Sequence, residues 1–315
     1  MTFAFLFPGQ GSQSVGMMSV FSELSVVKDT FEEASSIMQK DMWQLAQAGA
    51  QEELAITTNT QPLMLISDVA MYRAWVELGG HSPSIVAGHS LGEYAALVTA
   101  GALVFSDAVS LVQKRSTLMQ NAVPSGIGAM AAVLGLSDED IQTACERAKA
   151  QNGGVAEAAN YNAPGQVVIA GDKATVEKAI DEAKTLGAKR AMLLAMATPS
   201  HCSLIKPAAD LYLLALKEAS INTPNIPVIH NYNVLPSATA EDIRDWLYQQ
   251  LFSPVRWVET IQYITAMDIK VGFECGPGKV ITGLNKRIDK ELHMIPLGSP
   301  KEMELAINEL SRSNG

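Results

Sequence analysis

The sequence predicts an α/β protein in which a large parallel-sheet domain carries a smaller inserted domain. The chain has 315 residues, 48% hydrophobic and 18% charged, which is enough to bury a sizeable core. Short apolar strands alternate with helices in its first part, a pattern typical of a parallel sheet covered on both faces. Over residues 126–196 the order becomes strand, helix, strand, strand, helix, strand, which is the ferredoxin-like unit.

The first elements belong to the large domain. The run Phe3–Phe7 predicts a buried strand, because it is short, aromatic-rich and followed by a proline and a glycine. Helical patterns extend over Val20–Met38 and Gln61–Leu78. The apolar run Ser84–Gly88 is the next strand, and a long helix opens near Ser90. A strand therefore ends, and a helix begins, within a few residues of that serine.

The middle of the chain predicts the small domain. Its strands are "GAMAAVLG", "VAEAAN", "QVVIAG" and "AKRAMLLAM", and its helices are "SDEDIQTACERAKAQ" and "DKATVEKAIDEAKTLG". The turn "YNAPG" joins the two central strands. We therefore predict a ferredoxin-like subdomain at 126–196 and a large domain made of 1–125 and 197–315, whose sheet is rejoined by the later strand "VGFECGPG".

Charge and composition argue against several function classes. A net charge of −10 disfavours a general nucleic-acid binder, which needs a broad basic face. The N-terminal "MTFAFLFPGQGSQ" has no basic n-region, and no run approaches the ~18 apolar residues of a membrane span, so we expect a cytoplasmic protein that does not bind membranes. Three separated cysteines with no metal-site spacing predict buried, reduced thiols, no metal and no cofactor.

The clearest chemical motif is Gly88-His89-Ser90-Leu91-Gly92, which matches G-x-S-x-G. In that motif the serine occupies a strained turn between a strand and a helix, where it can act as a nucleophile. The helix N-terminus points free N–H groups at the place where an oxyanion forms. The alternative is that Ser90 only caps the helix, but the strand before it and the helix after it favour the nucleophile.

A nucleophilic serine needs a base, and the sequence offers five histidines. His201, in "ATPSHCSLIKPAAD", lies in a loop before a predicted helix and could face the carboxyl edge of the sheet. His89 adjoins the serine on a tight turn, so we expect a structural or pocket-lining role for it. We expect ordinary surface or core positions for the others, which are His81, His230 and His293.

Five motifs make the resemblance to a known family specific. They are "FPGQGSQ", "GHSLGEYAAL", "NAPGQVVIAG", "PSHC" and "GPGKVITGL", in this order and across nearly the whole chain. Together they resemble the malonyl-CoA:acyl carrier protein transacylases, the FabD type of bacterial fatty-acid synthesis. The resemblance implies an α/β-hydrolase-like large domain with a ferredoxin-like small domain, in agreement with the pattern above.

The resemblance also implies the catalytic residues. It makes Ser90 the nucleophile, His201 the general base and acid, and Gln250 the residue that orients the histidine. Gln249 is a second glutamine beside it, so the choice of Gln250 depends on the match to "QLFSPV". Where the family usually has serine or threonine after "GEY", this chain has Ala95, which does not affect the mechanism.

Three further residues follow from the same resemblance. The backbone N–H groups of Gln10 and Leu91 match the oxyanion hole, and Arg115, in "LVQKRSTLM", matches the arginine that pairs with the malonyl carboxylate. An arginine suits that task because its planar fork binds a carboxylate through two hydrogen bonds. Without the resemblance, Arg115 would be read as a surface residue of an amphipathic helix.

The implied function is an acyl transfer in fatty acid biosynthesis. The enzyme, an [acyl-carrier-protein] S-malonyltransferase, would move malonyl from malonyl-CoA to acyl carrier protein through a malonyl-Ser90 ester. Two alternatives remain, a serine hydrolase or thioesterase, and an acyltransferase for another carboxylated extender acyl-CoA. A nucleotide site at "PGQGSQSVG" is disfavoured, because the third glycine of GxGxxG and a GK[ST] sequence are both missing.

A carrier protein is acidic as a class, so an enzyme of net charge −10 needs a local basic patch to receive it. The window Lys270–Lys290 supplies one, and within it we expect Lys286 and Arg287 to contact the partner. A solvated helix face is the alternative reading of this window. The next candidate surface is Lys189 and Arg190 on the small domain.

Overall fold

The computed structural model describes residues 2–124, 126–195 and 198–313. Its strands are β1 (Ala4–Phe7), β2 (Ile85–Gly88), β3 (Gly128–Leu134), β4 (Ala156–Ala163), β5 (Gln166–Asp172), β6 (Arg190–Leu193), β7 (Val228–Ile229), β8 (Val271–Glu274) and β9 (His293–Pro296). Its helices are α1 (Ser25–Met38), α2 (Met42–Ala48), α3 (Gln51–Leu54), α4 (Thr57–Glu77), α5 (Gly92–Thr99), α6 (Phe105–Asn121), α7 (Asp138–Asn152), α8 (Lys173–Thr185), α9 (Lys206–Glu218), α10 (Ala240–Gln250), α11 (Trp257–Ala266), α12 (Val280–Ile288) and α13 (Pro300–Ser313). Short 3₁₀ turns occupy Ser19–Phe21 and Ser203–Ile205.

The large domain is built on a five-stranded parallel sheet in the order β7-β2-β1-β8-β9. β1 and β2 lie side by side, with Phe7 opposite Gly88 at their carboxyl ends. The loops that follow these strands are therefore neighbours at one edge of the sheet. In open parallel sheets, that edge is where ligands bind.

Aromatic packing fixes the central strand. Every residue of β1 is buried, and Phe5 lies edge-on to Trp75 of α4 and Phe273 of β8, with ring centroids 5.2 and 5.9 Å away. Such edge-to-face pairs are favourable beyond the apolar area they bury. The strand β1, whose carboxyl end leads to the site, is thus packed against both a helix and the neighbouring strand.

The small domain is a four-stranded antiparallel sheet in the order β4-β5-β3-β6. One face packs on α7 and α8 through small apolar side chains such as Ala131, Ala144 and Ala179. The opposite face carries Met130 and Val168, which cluster with buried Cys202 of the large domain. This second face therefore closes over the carboxyl edge of the large sheet.

The fold class is confirmed, including the βαββαβ order of the small domain and the return of β8 to the large sheet. The helix expected around Val20–Met38 is present, but its expected start is wrong. Leu24 is extended there, with φ −86° and ψ 117°, so α1 begins only at Ser25. The predicted domain boundaries at 125/126 and 196/197 involve residues 125, 196 and 197, which lie outside the described residues, as does the end of the predicted strand "AKRAMLLAM".

In residues 2–124, 126–195 and 198–313, none of the helices has the length and apolar character needed to cross a membrane. The same residues contain no cluster of three or more His, Cys, Asp or Glu side chains that could hold a metal ion. The cysteines are as predicted, since Cys145, Cys202 and Cys275 are all free and buried.

Candidate active site

Ser90 lies on a strained turn between β2 and α5. Its φ is 52°, in the left-handed region that costs a non-glycine residue about 1–3 kcal/mol. The turn is so tight that a Cβ on Gly88 would lie 1.9 Å from the carbonyl carbon of Gly92, and one on Gly92 would lie 2.3 Å from the oxygen of Phe7. Both glycines of the motif are therefore required by backbone contact, and they leave the Ser90 hydroxyl raised above the sheet edge.

His201 faces the Ser90 hydroxyl. Its Nε2 is 2.7 Å from Ser90 Oγ, and its Nδ1 is 2.8 Å from the main-chain oxygen of Gln250. Because a carbonyl oxygen can only accept, Nδ1 carries the ring proton and Nε2 is left to accept the proton of Ser90. The backbone is also fixed here, since His201 has a φ of 62° and its N–H donates to Leu251 O at 3.1 Å.

The surroundings of His201 keep its ring neutral. Burial first, and the nearby Arg115 guanidinium second, lower the pKa of His201 from 6.5 to about 3, while the hydrogen bond to Gln250 opposes them. Both leading causes act against the charged imidazolium form. A neutral imidazole at physiological pH can act as a general base.

Gln250 contacts His201 through its main chain. The sequence predicts that Gln250 orients His201, and the contact exists, but it comes from the main-chain oxygen rather than from the side chain. The side-chain amide instead accepts from Arg115 and donates to Ser90 O and to Glu93. Any residue at position 250 could therefore supply the main-chain carbonyl, whereas the side-chain amide of Gln250 has separate hydrogen-bond partners.

Arg115 is a buried cation beside the nucleophile. Only 1% of it is exposed, and its guanidinium donates to Gln61 Oε1 at 2.6 Å, Gln250 Oε1 at 3.0 Å and Ser90 Oγ at 3.4 Å. All three partners are neutral, and Nε has no hydrogen-bond partner. The ion pairs found in the described part of the chain do not include Arg115. A buried cation with no anion beside it is costly on its own and suits an anionic ligand.

The backbone around Ser90 can supply an oxyanion hole. The Ser90 N–H is occupied, because it donates to Asn231 Oδ1 at 2.7 Å. For the N–H groups of Gln10 and Leu91, in contrast, the described residues offer no acceptor in hydrogen-bonding geometry. Leu91 directly precedes α5, whose N-terminus favours negative charge. These two groups are thus the available donors on the two neighbouring loops.

Ser90 and His201 line a cavity of about 340 Å³ between the two domains. The small domain contributes one wall, through Met130, Asn160, Asn162, Val168 and Leu194. A second cavity of about 550 Å³ shares Gln10 and Ala195 with the first, so the two cavities adjoin.

The other histidines make no hydrogen bond to the serine hydroxyl within the described residues. His89 lines the cavity and bonds Asn162 through Nε2 at 2.7 Å, in line with the pocket-lining role expected for it. His230 is buried, with Nδ1 2.6 Å from Glu93 Oε1. His81 and His293 are exposed.

Two residues of the site were not anticipated. Asn231 bridges the turn, accepting from Ser90 N and donating to Gly88 O at 2.8 Å. Glu93 is fully buried and accepts from His230, Asn231 N and Gln250. Glu93 lies inside the quoted "GHSLGEYAAL" motif, so its place there could have indicated it, whereas nothing in "VIHNYN" singles out Asn231.

Comparison with known proteins places the chain in a family. The acyl transferase domain model matches residues 4–292. The malonyl CoA-acyl carrier protein transacylase of Escherichia coli K12 is 48% identical over 306 residues, covering 97% of this chain and 98% of that one. Its counterpart in Haemophilus influenzae is 50% identical over 295 residues, covering 93% and 94%.

Solved structures agree. The malonyl CoA-acyl carrier protein transacylase (FabD) of Coxiella burnetii superposes with a TM-score of 0.96 at 48% identity, covering 98% of each chain. A malonyl-transacylase in complex with its type II PKS acyl-carrier protein also gives a TM-score of 0.96, at 46% identity over 98% of this chain and 100% of that one. The chain therefore belongs to the acyl transferase family, among the malonyl CoA-acyl carrier protein transacylases.

Proposed function

We propose that this enzyme moves a malonyl group from malonyl-CoA to the phosphopantetheine thiol of acyl carrier protein, in fatty acid biosynthesis, through a malonyl ester of Ser90. Its relatives carry that activity in their names. The observation that carries the residue assignment is the buried Arg115 guanidinium, 3.4 Å from Ser90 Oγ and bonded only to neutral groups. A malonyl carboxylate supplies the missing anion.

The first half-reaction forms the ester. Ser90 Oγ attacks the thioester carbonyl while its proton passes to His201 Nε2, 2.7 Å away. The carbonyl oxygen becomes an oxyanion that accepts from the N–H groups of Gln10 and Leu91, each worth about 3–4 kcal/mol in such sites. The C–S bond then breaks, and His201 returns the proton to the departing coenzyme A sulfur.

The second half-reaction runs the same steps with a different thiol. His201 removes the proton from the phosphopantetheine thiol, whose sulfur attacks the Ser90 ester. The C–O bond to Ser90 breaks and the serine oxygen takes the proton back from His201. One base therefore serves both transfers, because its pKa, lowered to about 3, leaves it neutral between them.

The serine hydrolase alternative is less well supported by the site. Such enzymes orient the histidine with an Asp or Glu carboxylate. Here Nδ1 of His201 meets the neutral main-chain oxygen of Gln250 at 2.8 Å. The buried carboxylate of Glu93 contacts His230 instead. A neutral partner makes His201 a weaker base, which favours a thiol over water as the second nucleophile.

For the carrier protein we retain Lys286 and Arg287 of α12 as the proposed contact. Both side chains are exposed, and Arg287 donates to Gln166 Oε1 at 2.6 Å and Pro164 O at 3.2 Å on the small domain. The basic pair therefore lies where the two domains meet.

We further propose that 126–196 forms the inserted subdomain. We also propose that the enzyme works in the cytoplasm, whose reducing conditions suit three unpaired cysteines.

A transfer assay tests the proposed function. Malonyl-CoA and holo-acyl carrier protein are incubated with the enzyme, and malonyl-carrier protein and free malonate are both measured. We expect malonyl-carrier protein to form in large excess over malonate, and neither to form with Ser90→Ala. Malonate as the main product would instead identify a thioesterase.

A further inference from the structure

The side-chain amide of Gln250 lies between two buried groups of opposite charge. Its Oε1 accepts from Nη2 of Arg115 at 3.0 Å, and its Nε2 donates to Oε2 of Glu93 at 2.9 Å. Arg115 is 1% exposed and Glu93 is fully buried. The cation and the anion are thus linked through a neutral amide instead of touching each other.

Glu93 is held in this place by the large domain itself. Its Oε1 accepts from His230 Nδ1 at 2.6 Å, and its Oε2 also accepts from the N–H of Asn231 at 2.9 Å. The carboxylate therefore has three donors that do not belong to any substrate. Its hydrogen bonds therefore do not depend on a contact with substrate.

This spacing has a physical consequence for Arg115. A carboxylate in direct contact would occupy the guanidinium fork and cancel its charge, which would remove the site for a substrate carboxylate. A buried arginine with no anion nearby would be costly to fold. A carboxylate held one amide away still lowers that cost, although less than one in contact because Coulomb attraction falls with distance. It leaves the guanidinium hydrogen-bonded only to neutral groups.

We propose that Glu93 is a positioning residue for acyl selectivity, acting as a counter-charge that the Gln250 amide holds away from Arg115. Glu93 sets how strongly Arg115 attracts the acyl carboxylate, and Gln250 prevents the two from forming a direct ion pair. The inference rests on the proposed function, since it requires that Arg115 binds the malonyl carboxylate.

Glu93→Gln is the first test, because it removes the charge and keeps the size. The new amide oxygen can still accept from Asn231 N and Gln250, and its NH₂ can donate to His230 Nδ1 once that ring moves its proton to Nε2, which has no partner now. We expect the ratio of kcat/KM for malonyl-CoA to kcat/KM for acetyl-CoA to rise about tenfold. This is the order expected when one negative charge roughly 10 Å from the substrate carboxylate is removed at an effective dielectric constant near 20.

Glu274→Gln is the matched control. Glu274 is also fully buried and also has three donors, from Ile281 N, Thr282 N and Thr282 Oγ1, but it caps α12 and has no link to Arg115. We expect this variant to leave the malonyl-to-acetyl ratio unchanged. It therefore separates a specific electrostatic effect from the general cost of neutralising a buried carboxylate.

Gln250→Met tests the spacer from the other side. It removes the three hydrogen bonds of the amide, to Arg115, Glu93 and Ser90 O, and lets Arg115 and Glu93 approach each other, while the main-chain oxygen that anchors His201 remains. We expect the same ratio to fall at least tenfold. In an Arg115→Ala background, Glu93→Gln is expected to change the ratio no further, which makes the coupling between the two residues measurable.

All rates are measured on the full chain with holo-acyl carrier protein, after thermal unfolding has shown that each variant is folded. A rise with Glu93→Gln and a fall with Gln250→Met support the proposal. If Glu93→Gln reduces both substrates in equal proportion, or lowers the ratio, the proposal is overturned. If that variant does not fold, an unchanged ratio in Gln250→Met overturns it. A wild-type ratio that Arg115→Ala leaves intact refutes the proposed role of Arg115 instead.

Discussion

Replacing Arg115 with alanine is expected to lower malonyl transfer and to keep or improve acetyl transfer. The wild-type guanidinium is buried, bonds three neutral groups and lies 3.4 Å from the Ser90 oxygen. A malonyl carboxylate bound there forms a desolvated ion pair, and removing one member of such a pair costs about 3–5 kcal/mol. At about 1.36 kcal/mol per factor of ten, kcat/KM for malonyl-CoA is expected to fall by about 10²-fold or more.

Acetyl-CoA responds differently, because it has no carboxylate to lose its partner. We expect Arg115→Ala to keep or improve acetyl transfer, since an acetyl group makes no ion pair with the guanidinium. The assay follows labelled malonyl-CoA and acetyl-CoA onto holo-acyl carrier protein in parallel. Arg73→Ala is a matched control: Arg73 is also an arginine of the large domain, but it pairs with Glu33 at 2.9 Å and stacks over Phe105.

The two substrates together distinguish a carboxylate-binding role of Arg115 from a structural one. Arg73→Ala is expected to leave the ratio of malonyl to acetyl transfer unchanged. If Arg115→Ala slows both substrates by the same factor, while thermal unfolding shows a folded protein, Arg115 is a structural residue. The carboxylate site would then have to be sought elsewhere in the cavity.

Three other predictions follow from the same geometry. Charge reversal at Lys286 and Arg287 is expected to raise KM for carrier protein and not for malonyl-CoA, and added salt is expected to weaken the wild-type reaction; Lys270→Glu, in the same basic window, is the control. Asn231→Ala leaves Ser90 N and Gly88 O without their partner, so the free energy of unfolding is expected to fall by about 1–3 kcal/mol, measured by urea denaturation, together with a lower kcat. The pKa of His201 is about 3 in the folded protein and 6.5 ordinarily, so the pH profile of kcat/KM is expected to show no loss of the base near pH 6.5. Between pH 6.5 and pH 3 His201 is protonated in the unfolded chain but not in the folded one, so the free energy of unfolding is expected to fall as pH drops from 6.5 to 3. A kcat/KM that halves near pH 6.5 through protonation of His201 contradicts this assignment.

Local patterns were sufficient to predict much of the fold. The tight turn at Ser90 could be predicted because Gly88 and Gly92 are each required by contacts within a few residues or with the neighbouring strand. The small domain could be predicted because its helices have clear N-caps, such as Ser137 and Asp172. Short elements were missed, including the two-residue strand β7, since so few residues carry no periodicity.

The hydrogen-bond network behind the nucleophile was not predictable in the same way. Asn231 reaches Ser90 N across 141 positions of sequence, and Gln250 reaches Ser90 O across 160. Such contacts depend on the sheet order, which brings β7 beside β2, and not on any local pattern. For the same reason, sequence could associate Gln250 with His201 but could not tell the main-chain oxygen from the side-chain amide.

In the proposed reaction, Ser90 carries the acyl group between the two thiols. Intact mass spectrometry and peptide mapping of the enzyme after mixing with malonyl-CoA alone test this role. We predict one malonyl group per chain, located on the peptide that contains Ser90, removed by holo-acyl carrier protein and absent from a folded Ser90→Ala variant. A malonyl adduct that persists in Ser90→Ala, or that maps to another peptide, would mean that another residue carries the acyl group.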